Sequence, residues 1–363
     1  MKNTFGTSVS VTLFGESHGE AIGAVLDGMA PGIPIDRDFI RHQMQLRMGT
    51  PALSTARREP DEVEIISGIL DGVTTGTPIT LLIKNTNTRS DDYKKTEALL
   101  RPGHADLTAQ CKYHGFSDPR GGGHFSGRIT AGLVAAGAIA TTALARRGIR
   151  IGTHIAACGG VADRGFENYA DDITYLNNVE LPVLSLKKAK KITDVIIDAK
   201  KDGDSVGGIL ETAVIGLPAG VGEPWFDTVE GVLSHALFSI PAVKGVEFGS
   251  GFALASMRGS QANDPYTVKD GEIVAKSNHA GGVLGGITSG MPLLIRTAIK
   301  PTPSIYKKQD TVDIEAMQDA TLEIKGRHDP AIVHRARVVA DSVVALALCD
   351  LLALRFGTDY LRG

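Results

Sequence analysis

The chain has 363 residues, enough for one large domain or two ordinary ones, and its 42% hydrophobic and 22% charged residues match a globular protein. A formal charge of −3 supplies no global field for nucleic acid or an anionic membrane, so anion binding must come from local arginine clusters. The three cysteines, Cys111, Cys158 and Cys349, are far apart and odd in number, which argues against a disulfide framework and suits a reducing cytoplasm.

From the N-terminus, Lys2 is followed by no apolar core of signal-peptide length. Val9, Val11 and Leu13 alternate with Ser10 and Thr12, which predicts a strand with one buried face. After the loop GESHG (15–19), "AIGAVLDGM" predicts a second strand, and Asp36 is placed to cap a helix running to about Arg47. "DEVEIISGILDG" and "TPITLLIKN" predict two strands joined by a Gly/Thr turn. The polar stretch "NTNTRSDDYKK" leads into the loop "RPGHAD". Cys111 and His114 form a lone C-x-x-H with no second ligand pair at zinc spacing. "SDPRGGGH" then feeds a helix of small residues from about Ser126 to Arg147. Its apolar run, flanked by arginines, is too short for a bilayer and reads as buried. A final helix is predicted from about Ile332 to Arg355.

"SGILDGVTTGTPIT" from Ser67 and "GGVLGGITSGMPLL" from Gly281 align without gaps on G-x-L-x-G-x-T-x-G-x-P. "GESHG" from Gly15 resembles "GDSVG" from Gly203, and Gly28/Gly32 and Gly216/Gly220 follow at identical offsets. Two features repeated in the same order predict two related halves about a pseudo-twofold axis. Val206 stands in the second copy where His18 stands in the first, so the scaffold is doubled but the histidine is not.

Histidine titrates near neutrality, and glycines flanking His18 let its loop approach a ligand, with Ser17 beside it. "RPGHAD" sets Arg101 three residues before His104. "RGGGHFSGR" places Arg120, three glycines, His124, Ser126 and Arg128 at the mouth of a helix, where backbone N–H groups and arginines together suit a phosphate or carboxylate. "IKPTPSIYKK" adds a lysine and hydroxyls beside rigid prolines, and "SNHAGGVLGG" places His279 amid glycines. In "GRHDPAI" the aspartate before a helix reads by default as an N-cap. No P-loop, G-x-S-x-G elbow or dinucleotide fingerprint is present. The residues themselves point to acid–base work on a phosphorylated, carboxylated small molecule.

"FGESHG", "RREPDEVEIISG", "TTGTPI", "NTNTRSDDY", "RPGHAD", "RGGG", "AVKGVEFG", "RGSQ", "SNHAGGVLGGITSG", "KPTPS" and "KGRHDP", in this order, resemble the chorismate synthase family over nearly the whole chain. The resemblance implies an α+β fold with helices sandwiched between antiparallel β-sheets, one domain over 1–363, and a cytoplasmic homotetramer. It implies anti-1,4 elimination of phosphate from 5-enolpyruvylshikimate 3-phosphate, dependent on reduced FMN, to give chorismate. No flavin-reductase module is visible, so reduced flavin would come from outside. Carried over by position, His18, His104 and Asp329 would be catalytic: a general acid at the leaving phosphate, a group holding the reduced flavin, and an aid to proton removal. Ser17, Arg101, Arg128 and Arg327 would bind substrate. His124, Phe125, Ser126, Ala242, Gly285, Lys300, Pro301, Thr302, Pro303, Ser304 and Arg327 match the flavin-contacting segments.

The chain also departs from the family's pattern. His124 and Phe125 stand where many members have arginine and serine, and a protonated His124 would replace the lost flavin-phosphate contact. Pro241 precedes Ala242 where asparagine is usual, and Pro303 replaces a hydroxyl residue. Ala52 stands for an arginine, which leaves Arg47 as a thin basis for nicotinamide binding. Two other classes fit the loops: a non-catalytic flavin or sugar-phosphate binder, and a flavin-free phosphatase or mutase.

Overall fold

The computed structural model describes residues 2–50, 53–54, 61–86, 98–324 and 328–363. In its first half the chain runs through β1 (Thr4–Phe5), β2 (Ser10–Gly15), β3 (Ala21–Asp27), α1 (Arg37–Met48) and β4 (Glu64–Ile65). A small hairpin follows, β5 (Ile69–Leu70) and β6 (Val73–Thr74), then β7 (Ile79–Lys84), α2 (Asp106–Tyr113) and α3 (Thr130–Arg146). The second half opens with β8 (Arg150–Cys158), β9 (Val161–Ala162), α4 (Tyr169–Leu176) and α5 (Leu186–Lys201). It continues with β10 (Gly208–Ile215), α6 (Val229–Phe238), β11 (Val243–Phe248), α7 (Gly259–Ala262) and the hairpin of β12 (Tyr266–Lys269) and β13 (Glu272–Ala275). Another small hairpin, β14 (Val283–Leu284) and β15 (Ile287–Thr288), leads to β16 (Leu293–Ile299). The hairpin of β17 (Gln309–Asp313) and β18 (Gln318–Leu322) precedes α8 (Val333–Phe356).

Two antiparallel five-stranded sheets, ordered β1-β2-β3-β7-β4 and β9-β8-β10-β16-β11, have α3 and α8 between them. The fold is α+β, with the helices in the middle layer. Matching positions hold matching strands: β3 and β10 are central, β7 and β16 lie on one side of them, β2 and β8 on the other. The small hairpins repeat as well. Thr74 Oγ1 donates to Ala30 O at 2.6 Å and accepts from Ile33 N at 2.9 Å. Thr288 Oγ1 donates to Pro218 O at 2.7 Å and accepts from Val221 N at 2.9 Å. These are the threonines of the repeated G-x-L-x-G-x-T, tied to loops at identical offsets, so the pseudo-twofold is a property of the fold.

Local sequence accounts for most elements. Asp36 caps α1 by accepting from Phe39 N at 2.8 Å, and the helix ends at Gly49 with φ +74°. Ile40 and Met44 turn into the core at helical spacing. The strand predicted over "DEVEIISGILDG" is broken. Gly68 adopts φ +81° and Gly72 φ +78°, so the chain leaves β4 after two residues and folds into the β5–β6 hairpin.

The small-residue helix is longer than its apolar core suggests. Gly127–Arg146 is long and apolar enough by composition to cross a membrane, yet 78% of its apolar window is buried within the fold. Its small residues mark close approaches. A Cβ on Gly137 would overlap Ser342 of α8, and one on Gly132 would lie 2.8 Å from Gly23 O of β3. α8 is buried almost all round, as befits a helix between two sheets, and one continuous apolar core joins both halves.

Candidate functional site

Both central helices start at one cavity of about 910 Å³. Gly127, Arg128, Thr130 and Leu133 at the start of α3 line it, as do Ile332, Arg335, Ala336 and Val339 at the start of α8. No side chain caps the first residue of either helix, although Ser126 accepts from Arg128 N one turn earlier. Each positive helix end therefore carries an arginine, an arrangement that is unfavourable until a negative charge is supplied. Two carboxylates supply part of it. Asp61 lies between Arg47 and Arg128, 2.5 Å from the former and in an ion pair with the latter. Burial alone would raise the Asp61 carboxyl, but the two guanidiniums overcome this and hold it below its usual range. Asp329 pairs with Arg335.

The glycine run shows why the opening loop is built as it is. Gly121, Gly122 and Gly123 all have positive φ. A Cβ on Gly121 would overlap the His18 ring, and one on Gly122 would sit 3.3 Å from His104 Cε1. Two imidazoles from remote segments therefore rest against neighbouring peptides. Ser17 is buried, its Oγ 3.2 Å from His18 Nδ1 and donating to Arg120 O at 3.1 Å. His18, also buried, and Ser17 sit behind the Gly121 wall and do not themselves line the cavity.

His104 does line it. Its Nδ1 lies 2.7 Å from Asp106 Oδ1, and Arg101 donates to the same carboxylate through Nε (2.8 Å) and NH2 (2.7 Å). One edge of Arg101 is thus engaged within the protein, and Arg101 stays off the cavity wall. The loop is tied to the segment after β16, because Lys300 Nζ donates to Gly103 O. Lys300, Thr302, Pro303, Ser304, Ala242 and Phe125 line the cavity together with Asp329.

One expectation needs correction, and several expected site residues lie off the cavity or within its wall. Asp329 is not an N-cap: α8 begins after Ile332 without a side-chain cap, and the carboxylate faces Arg335. Gly285 sits at the tip of the β14–β15 hairpin with open space around it, and neither it nor Pro301 lines the cavity. His124 lines it, but its Nδ1 donates to Gly15 O at 2.8 Å, so only the other ring nitrogen can meet a ligand. Arg47 is buried and paired with Asp61, with its carbonyl accepting from Arg335 Nε, which makes it part of the wall. Arg327 and most of "NTNTRSDDY" and "RREPD" lie outside the described residues.

Four cavity-side residues were given no role from sequence: Asp61, Asp106, His328 and Arg335. Asp106 stands two residues from His104 and Asp61 ends the "RREPD" motif, which is the signal that was available. His328 lines the cavity. Its Nε2 is buried with no partner among the described residues, as is Thr302 Oγ1. Burial, aided by Arg101, lowers the His328 pKa and favours the neutral ring.

Fold and site together define a class: an α+β enzyme with a deep cationic cavity in which paired imidazoles and carboxylates surround space for a polyanionic ligand. The chain belongs to the chorismate synthase family, whose profile matches residues 9–353. It is 46% identical over 358 residues to the chorismate synthase of Dehalococcoides mccartyi (strain BAV1), covering 98% of each chain. It is 47% identical over 350 residues to that of Pyrococcus abyssi, covering 96% of this chain and 97% of the other. A solved structure described as chorismate synthase superposes with a TM-score of 0.76 at 28% identity, over 97% of this chain and 94% of that one. Members are lyases of the shikimate pathway, which leads to the aromatic amino acids.

Proposed function

We propose that this cavity binds reduced FMN beside 5-enolpyruvylshikimate 3-phosphate and carries the anti-1,4 elimination of phosphate that gives chorismate. The observation that carries the proposal is the convergence of His18 and His104 on the adjacent glycines Gly121 and Gly122, the first of which lines the cavity.

The residues present suit a flavin and a polyanion. The cavity volume lies at the upper end of the range for small-molecule sites. Phe125, Leu133, Ile332 and Val339 offer apolar wall, while Lys300, Thr302, Ser304 and His124 offer polar contacts for the flavin's tail. The unpartnered Thr302 hydroxyl and His328 nitrogen are buried polar atoms of the kind a ligand satisfies. Reduced FMN, when bound, supplies electron density that helps phosphate leave and recovers it as the C6 proton is lost.

The protein's own work is positioning and proton handling. His18, backed by Ser17, donates a proton to the departing phosphate. His104 would donate a hydrogen bond to the reduced flavin, which favours its anionic form. Asp329, fixed by Arg335, assists removal of the C6 proton. Arg128 and Arg327 gather the substrate's phosphate and carboxylates, with Asp61 holding Arg128 in place, while Arg101, off the cavity wall, grips Asp106. The whole chain acts as one unit, because the two halves share a core and both contribute to one cavity.

We assign it to the cytoplasm as a homotetramer fed with reduced flavin from outside. The exposed Trp225, Phe226 and Phe252 of the second half support association between copies.

Anaerobic assays with and without reduced FMN test the reading. Phosphate and chorismate are expected to appear together, and only with reduced flavin. Flavin-independent phosphate release would indicate a phosphatase or mutase. Binding without release would indicate a carrier.

A further inference from the structure

We infer that Asp106 is the positioning residue for His104: it fixes which ring nitrogen always carries a proton and which one faces the cavity. The inference rests on the placement of His104 beside the bound flavin.

Asp106 receives four hydrogen bonds. Oδ1 takes His104 Nδ1 and Arg101 NH2, each at 2.7 Å, and Oδ2 takes the Arg101 backbone N at 2.9 Å and Nε at 2.8 Å. An ionised carboxylate offers about four acceptor sites and no donor, so this one is saturated and complementary to its partners only as the anion. Burial would raise its pKa, but the bonds from His104 and Arg101 reverse this and hold it far below the ordinary range. The consequence for His104 is one of tautomer. With an acceptor-only partner at Nδ1, that nitrogen carries hydrogen in both the neutral and the charged ring. Only Nε2 changes state, which makes it the sole proton-exchanging atom that His104 can present to a ligand.

Arg101 belongs to the same device. Its guanidinium edge and backbone N–H both grip Asp106, so the five-residue loop closes on the carboxylate before any ligand arrives. An alternative, purely structural account exists. Asp106 is the first residue of α2, where a negative charge favours the helix end. That account predicts an effect on folding and none on the state of the His104 ring.

The two accounts separate by ¹⁵N solid-state NMR on histidine-labelled, ligand-free protein, with the His104 signal assigned by its loss in His104→Gln. The wild type is expected to show the neutral ring protonated at Nδ1 and not at Nε2. In Asp106→Asn the amide cannot accept all four bonds, and a population protonated at Nε2 alone should appear. Turnover should fall at least about a hundredfold, the scale of a lost acid–base group, with KM changed far less than kcat. Asp106→Glu should recover part of the rate and the wild-type tautomer. A neutral wild-type ring protonated at Nε2, or an Asp106→Asn enzyme with normal turnover and pH profile, would overturn the inference. If Asp106→Asn fails to fold, the wild-type spectrum still decides. If the wild type shows the expected ring state but no flavin-dependent elimination, the functional reading fails while the assignment of Asp106 to the ring survives.

Discussion

The loops Gly15–Gly19 and Gly203–Gly207 occupy matching places in the two halves, yet only one of them carries a histidine. Ser17 donates to Arg120 O in the loop before α3, and Ser205 donates to Thr302 O at 2.7 Å in the segment after β16. In both halves the serine ties its loop to a backbone carbonyl about a hundred residues further along the chain. The difference lies one residue on. His18 lies against Gly121, whereas Val206 packs beside the apolar core and its backbone N donates to Pro330 O. The two halves are matching scaffolds with differently equipped loops, and both line one cavity.

Breaking the asymmetry should have the largest effect. His18→Ala and His104→Ala are each expected to lower turnover at least about a hundredfold, whereas Val206→Ala should change stability by about 1 kcal/mol and leave turnover near wild type. Steady-state rates with saturating reduced FMN read this, and an active His18→Ala enzyme would remove that ring from the chemistry. Gly121→Ala should approach the loss in His18→Ala without touching a histidine. Its φ of +59° and the occupied space both oppose a side chain. A full rate in that variant would mean that the His18 ring can move without consequence.

The scaffold itself should respond symmetrically. Thr74→Val and Thr288→Val each strand a buried N–H and C=O, so each should cost about 1–3 kcal/mol in denaturant unfolding. A large cost for one and none for the other would show that the two knots are not equivalent.

The smallest effects concern pH, where two buried imidazoles oppose each other. Burial alone would lower the His154 pKa, but Asp163 and Glu211, 3.4 Å and 3.0 Å away, outweigh it and the pKa rises. Its stabilisation is complete below the unfolded value of about 6.5 and is lost as pH climbs through the raised folded value. His334, bonded at Nε2 to Ser54 Oγ at 2.7 Å, is pushed down to about 4 by burial. Between about 6.5 and about 4 the unfolded chain binds the extra proton, so stability falls as pH drops through that window. Melting curves across pH should show His154→Gln flattening the alkaline side and His334→Asn the acid side. An unchanged profile in either variant would assign that slope to other groups.

Much of this could be read in advance because it is local. Asp36, the alternation around Val11 and the limits of α8 follow from neighbours in sequence, and the repeat pointed to the two sheets. What escaped depends on partners brought from far away. Nothing near Asp329 in sequence says that a residue six positions on will claim it in place of the helix end. Nothing near Arg128 reveals that Asp61 will neutralise it. Asp106 stood beside His104 throughout, but its role appears only once the turn folds back on itself. Gly68 and Gly72 carried the break in the predicted strand, which alternation of apolar residues could not convey.

The meeting of two positive helix ends and their arginines at one cavity has a consequence for the unliganded molecule. Its core helices begin beside Arg128 and Arg335, which pair with Asp61 and Asp329, and a bound polyanion adds negative charge at the same helix ends. Occupancy and folding are then coupled, and at a ligand concentration about a hundred times Kd the native state gains roughly 2.7 kcal/mol.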